Sequence, residues 1–303
     1  MKIAVVGAGG IGGYFGGSLA RAGHQVALVA RGPHLEAVRA RGLEVRTPEG
    51  TFTAAVEATD EPEKLHGIEL AIVAVKTYSL PEIAPAVRGL AERGALVVPL
   101  LNGVEAAERL LESGVPDERL LGGLTEISAA KVAPGIVERL STFQRVVVGE
   151  RAGGPSDRAE RIAAVFREAG AEARVSLDIT ADLWRKLAFI ASVAAACGLA
   201  RSPIGRVREA PLGRLMIERA VREVTAVARA RGVALAADAE AKILTFVESL
   251  APPLKPSLLL DLESGRRTEI EDLSGAVSRL GREAGVETPV HDVATAALGV
   301  GRS

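Results

Sequence analysis

The sequence predicts an α/β chain: a doubly wound parallel sheet at the N-terminus followed by an all-helical C-terminal domain. Three observations carry this. A glycine-patterned turn directly follows the first apolar strand, continuous apolar runs alternate with helical periodicity, and strand patterns vanish after about residue 175. Continuous rather than alternating apolar strands separated by helices mark a parallel sheet covered on both faces.

Taken in order, KIAVV at residues 2–6 reads as a buried strand, 10–22 as a helix of small residues, and QVALVA at 25–30 as a second strand. Residues 43–59 read as a hairpin turning at Pro48-Glu49-Gly50. Further buried strands are expected at 69–75 (ELAIVAV) and 95–100 (ALVVPL). Strand-like segments continue through 120–149, with Pro134-Gly135 turning one pair, and could extend the sheet with antiparallel strands. Beyond Asp178 the pattern predicts helices at 179–200, 207–231, 236–249, 268–284 and 289–299. In the fourth of these, Ile270, Leu273, Val277, Leu280 and Ala284 recur at helical spacing, and Thr268 with Glu271 has the form of a capping box. The expected domains are 1–172 and 173–303.

At 303 residues the chain is long enough for two such domains. A formal charge of −1 offers no field for nucleic acid and no anchor for an anionic membrane. No uninterrupted apolar stretch reaches the roughly 18 residues that a bilayer span needs. Cys197 is the only cysteine, so no internal disulfide forms and a reducing cytoplasm is the expected compartment. One Cys and four scattered His supply no structural zinc site, and no metal is expected. With 30 Arg, 7 Lys, two Gln, two Met and one Asn, the composition fits a heat-adapted source, although high-GC coding also favours Arg.

Gly7-Ala8-Gly9-Gly10-Ile11-Gly12 is G-x-G-x-x-G between a strand and a helix, the context in which glycines let the backbone approach a pyrophosphate at a helix N-terminus. In that context the first domain is expected to be a Rossmann nucleotide-binding domain, although such glycines can also serve only to pack a helix on a strand. Where an NAD site usually carries an acid at the end of the second strand, this chain has Arg31, which suits a 2′-phosphate and favours NADP(H). Lys76 ends an apolar strand at the carboxyl edge of the sheet, where such folds bind ligands.

Lys186 lies in a helix with no further charge before Arg201. Unlike Arg, a lysine stripped of water can give up a proton, so Lys186 is a candidate general acid, although a lone helical Lys is commonly solvated. Asn102, the only asparagine, sits where a strand gives way to a helix. With Glu105 it can cap that helix, yet its amide can also serve a ligand as donor and acceptor. Glu269 suits the first turn of its helix electrostatically and precedes Leu273 by four, which turns it toward the buried face, while Ser257 after Pro256 reads as an N-cap.

Together these residues resemble the 2-dehydropantoate 2-reductase (ketopantoate reductase) family over nearly the whole chain. The resemblance rests on the glycine loop, Arg31, Lys76, LLNGV around Asn102, Trp184-Arg185-Lys186-Leu187, and Ser257 to Asp261 followed by Arg266 to Ile270. It implies hydride transfer from NADPH to the keto carbon of a small 2-keto acid, with Lys186 polarising and protonating the keto oxygen and Glu269 as a second catalytic residue. Cofactor contacts would come from Gly7 to Gly12, Arg31, Lys76, Asn102, the backbone at Ala129, and Glu269. Asn102, Lys186 and Ser257 would bind substrate.

The family's pocket asparagines align with Ile190 and Ala194 here, and a third falls near Ile204. This opens the alternative of a paralogue acting on a more apolar 2-keto acid. A relative of the beta-hydroxyacid dehydrogenases and a non-enzymatic NADPH-binding protein are the other readings, and a homodimer through the helical domain is left open.

Overall fold

The computed structural model describes residues 1–300. The chain forms two compact units. The first comprises Met1–Leu101 and Glu105–Ile179, and the second Asn102–Val104 and Thr180 onward.

The first unit opens with β1 (Lys2–Val6), α1 (Gly10–Arg21), β2 (Gln25–Val29) and α2 (Gly32–Arg41). It continues through β3 (Leu43–Thr47), β4 (Gly50–Ala54), β5 (Glu57–Thr59), β6 (Leu70–Val73), α3 (Leu80–Glu92), β7 (Leu96–Pro99) and α4 (Ala106–Glu112). Then come β8 (Gly122–Glu126), β9 (Ala129–Ala133), β10 (Ile136–Arg139), β11 (Arg145–Gly149), α5 (Asp157–Glu168) and β12 (Glu172–Ser176).

Five strands form a parallel sheet in the order β5-β2-β1-β6-β7. All four residues of β6 and of β7 are buried, as expected of strands covered on both faces. The 43–54 segment pairs as an antiparallel hairpin with Thr47 opposite Gly50, which places Pro48 and Glu49 in its turn. The strands of 120–149 depart from expectation. Instead of lengthening the parallel sheet they build two more, β4-β3-β10-β9 and β12-β11-β8, and a single bridge from Val97 to Leu120 links the last group to β7. The reason is register. The β10 strand pairs in parallel with β3, outside the five-stranded sheet, and β9 folds back on β10 through the turn at Pro134-Gly135.

The second unit carries α6 (Ile179–Ala200), α7 (Ile204–Glu209), α8 (Pro211–Ala230), α9 (Ala239–Ser249), α10 (Ser257–Glu263), α11 (Ala276–Glu283) and α12 (Pro289–Gly299). The helix expected at 207–231 is broken in two. Pro211 has no N–H to continue α7, and it holds Ala210 in extended backbone at ψ 124°.

The capping box expected from Thr268 and Glu271 does not form either. Residues Glu271–Gly275 make a turn of π-helix with no side-chain cap, and Gly275 N–H reaches back to Ile270 C=O. Its apolar positions nevertheless face inward largely as the periodicity predicts: Ile270, Leu273, Val277 and Leu280 are buried, and Ala284 is half-buried.

Among the described residues one helix is long and apolar enough to cross a membrane by length and composition, although Asp182, Arg185 and Lys186 interrupt its apolar run. This is α6, and 61% of its qualifying window is buried inside the protein, as in a core helix. Trp184, Leu187, Ala188, Ala191, Val193 and Ala195 line the interior of this unit. His291 is fully buried there as well, bonded to Ser274 Oγ at 3.1 Å and Ala220 C=O at 3.1 Å, and burial lowers its pKa from 6.5 to about 4.

Candidate active site

In the first unit the site is built by close backbone approach. Gly7 has φ +102°, and a Cβ there would lie 2.8 Å from Ala74 C=O. At Gly12 a Cβ would lie 1.9 Å from Gly7 C=O, so any other residue would push apart the turn joining β1 to α1. The N-terminus of α1 has no side-chain cap and no acid in its first turn. Its N–H groups and the positive end of its dipole therefore suit an anion, and the loop fits a dinucleotide pyrophosphate. Ala8 is buried, while Gly9, Gly10 and Ile11 are half-exposed. A Cβ on Gly10 would meet Ala129 C=O at 2.2 Å, which brings the start of β9 against the first turn of α1.

Lys76 is half-buried just beyond β6, two residues after the Ala74 carbonyl that touches Gly7. Arg31 follows β2 as the residue preceding α2, its side chain 63% exposed and its guanidinium donating to the Glu82 carboxylate. Glu82 lies in the first turn of α3. Nothing in the sequence joins two residues 51 positions apart, and this partner of Arg31 was not foreseen.

In the second unit three predicted residues meet. Lys186 Nζ donates to Asn102 Oδ1 at 3.1 Å, and Asn102 Nδ2 donates to Glu269 Oε2 at 3.4 Å. The ammonium and the amide are half-buried, and Glu269 is 5% exposed. The next helix, α4, starts at Ala106 with Glu105 at its N-cap position, and the Glu105 side chain makes no capping bond. A carboxamide carries its acceptor and donor on separate atoms, so it can hold an ammonium on one side and a carboxylate on the other. An aspartate would offer the carboxylate no proton.

Local backbone fixes this line. Gly103 has φ +91° and packs beside the Asp272 carbonyl in the π turn, 3.1 Å from where a Cβ would be. The π turn itself follows Glu269 by two residues, and such turns recur at functional sites.

The remaining predicted residues stand apart from this trio. Ser257 is exposed at the first position of α10, with Pro256 at the N-cap, and is hydrogen-bonded to none of the three. Four residues along α10, Asp261 accepts from Arg266 Nε at 2.9 Å. Ile190, one turn beyond Lys186, is half-buried, whereas Ala194 and Ile204 are buried in the apolar core.

A phosphate-ready loop on the parallel sheet of one unit, and an ammonium–amide–carboxylate line in the other, fit a nicotinamide-nucleotide-dependent oxidoreductase of the CH–OH class. Comparison with known proteins narrows the class. Residues 3–153 match the family model "Ketopantoate reductase PanE/ApbA", and residues 178–301 match "Ketopantoate reductase PanE/ApbA C terminal".

The chain is 34% identical to a 2-dehydropantoate 2-reductase of Halobacterium salinarum, covering 96% of this chain and 95% of that one. It is 30% identical to the uncharacterized oxidoreductase YkpB of Bacillus subtilis, covering 98% of each. The structure of a D-mandelate dehydrogenase with NADH and anilino(oxo)acetate superimposes with a TM-score of 0.89 at 25% identity, covering 99% of this chain and 97% of that one. The chain belongs to the ketopantoate reductase family.

Proposed function

We propose that this chain reduces a 2-keto acid to the 2-hydroxy acid with NADPH, with 2-dehydropantoate (ketopantoate) to pantoate, a step of pantothenate and coenzyme A biosynthesis, as the leading reaction. The observation that carries this reading is the hydrogen-bonded line Lys186–Asn102–Glu269. Residues 1–172 hold the nucleotide: Gly7 to Gly12 cradle the pyrophosphate, Arg31 and Lys76 meet its phosphates, and the Ala129 backbone borders it. The bound nucleotide supplies the hydride.

Residues 173–303, with Asn102, supply the acid. Lys186 Nζ–H donates to the keto oxygen, stabilises the charge that develops there, and delivers the proton that completes the hydroxyl. Asn102 orients that ammonium through its Oδ1 and presents its amide to the substrate carboxylate and the nucleotide. Glu269 holds the amide in register and contacts the nucleotide, and Ser257 binds substrate.

NADPH is preferred in this reading because Arg31 stands where an NAD site carries an acid. A second reading, a more apolar 2-keto acid, is favoured by Ile190, Ala194 and Ile204, which offer no hydrogen bond to a substrate hydroxyl.

A steady-state screen of NADPH oxidation with ketopantoate and with hydroxyl-free 2-keto acids of similar size tests both. Preference for ketopantoate supports the leading reaction, and preference for the hydrocarbon acids assigns the second. Turnover of none of them removes the reductase reading.

A further inference from the structure

The turn from β2 into α2 reads Ala30-Arg31-Gly32 and contains no acid, but a carboxylate arrives there from another element. Glu82, in the first turn of α3, accepts a hydrogen bond from Arg31. We infer that Glu82 is a specificity-determining residue, accepting from the ribose 2′-hydroxyl of NAD(H) and competing with the 2′-phosphate of NADP(H) for Arg31, so that one site takes both nucleotides. This rests on the reading that Arg31 faces the 2′ position of the nucleotide.

Both partners are open to solvent, with side-chain exposures of 63% and 61%. Exposed pairs of this kind are worth little, so neither group is locked and either can be drawn to a ligand. The α3 dipole favours the carboxylate where it stands. A 2′-phosphate bound to Arg31 meets that negative charge at close range, whereas a ribose hydroxyl meets an acceptor. The guanidinium and carboxylate therefore pull discrimination in opposite directions.

The test is calorimetric binding of NADP+, NAD+, 2′,5′-ADP and 5′-AMP to wild type, Glu82→Gln, Glu82→Ala and Arg31→Gln. Both Glu82 variants are expected to raise the NADP+/NAD+ and 2′,5′-ADP/5′-AMP affinity ratios by about two- to fivefold, and less at high salt. Arg31→Gln is expected to lower both ratios. Ratios unchanged or lowered in the Glu82 variants, while Arg31→Gln still lowers them, overturn the inference alone. Ratios unchanged in Arg31→Gln overturn the placement of Arg31 at the 2′ position. Melting temperatures of all variants separate binding effects from misfolding.

Discussion

Asn102→Asp is the change that isolates the amide. It keeps shape and size and replaces Nδ2 by a second oxygen carrying negative charge. That oxygen would stand where Nδ2 now stands, 3.4 Å from Glu269 Oε2, while the other remains 3.1 Å from Lys186 Nζ. At an effective dielectric of about 20, the new repulsion and the new attraction are each about 5 kcal/mol and of opposite sign.

Folding stability should therefore move by no more than about 1 kcal/mol, a few degrees in Tm. Catalysis should not escape so lightly. The ammonium would now be bound to a full charge that it must leave to serve the keto oxygen, and the amide donor is gone. If half of the Coulomb attraction opposes proton delivery, kcat/KM falls about 100-fold. The assay is NADPH oxidation with the preferred 2-keto acid, beside thermal melts of the same samples, with the Asp confirmed by mass. Wild-type kcat/KM in that variant would refute the idea that the amide holds the proton donor.

Lys186→Ala should lower kcat by about 100- to 10,000-fold, the scale of a lost general acid or charge stabiliser. Its NADP+ affinity, read by calorimetry, should stay within about twofold of wild type if the nucleotide is held by the first unit. Gly12→Ala puts a Cβ 1.9 Å from Gly7 C=O, so nucleotide binding should be lost, with a lower Tm on thermal melting. His291 contributes a pH dependence of stability. Burial lowers its pKa from 6.5 to about 4, so in that window the unfolded chain takes up a proton that the folded chain refuses. The stability is fully present above 6.5 and fades as pH falls toward 4, a loss of about 2 to 3 kcal/mol between pH 7 and 4.5. Glu223, whose carboxyl burial raises, acts in the opposite sense. Urea unfolding at the two pH values should show a smaller drop in His291→Gln than in wild type.

The parts of this protein legible in sequence are those governed by neighbours along the chain. Buried strands announced themselves as apolar runs because both faces of the parallel sheet are covered. The glycine turn was readable because the positive φ of Gly7 and the approach of Gly12 to Gly7 C=O arise within one strand–turn–helix unit, although Ala74 and Ala129 crowd it from elsewhere, and the inward face of 270–280 because helical periodicity is local. Local rules also erred where tertiary pairing competed. The capping box at Thr268 gave way to a π turn, and the antiparallel strands to sheets of their own.

What the sequence by itself determined was the fold class, the phosphate-ready loop and the identity of the chemically able side chains. These follow from polarity, periodicity and the conformational freedom of glycine. Only the tertiary structure decided which of those side chains meet. The Asn102–Val104 segment joins the helical unit although it follows a sheet strand, and Arg31 finds Glu82. Such contacts are made by folding distant segments together, and a hydrogen bond of about 3 Å leaves no mark on the spacing of residues 84 or 167 positions apart.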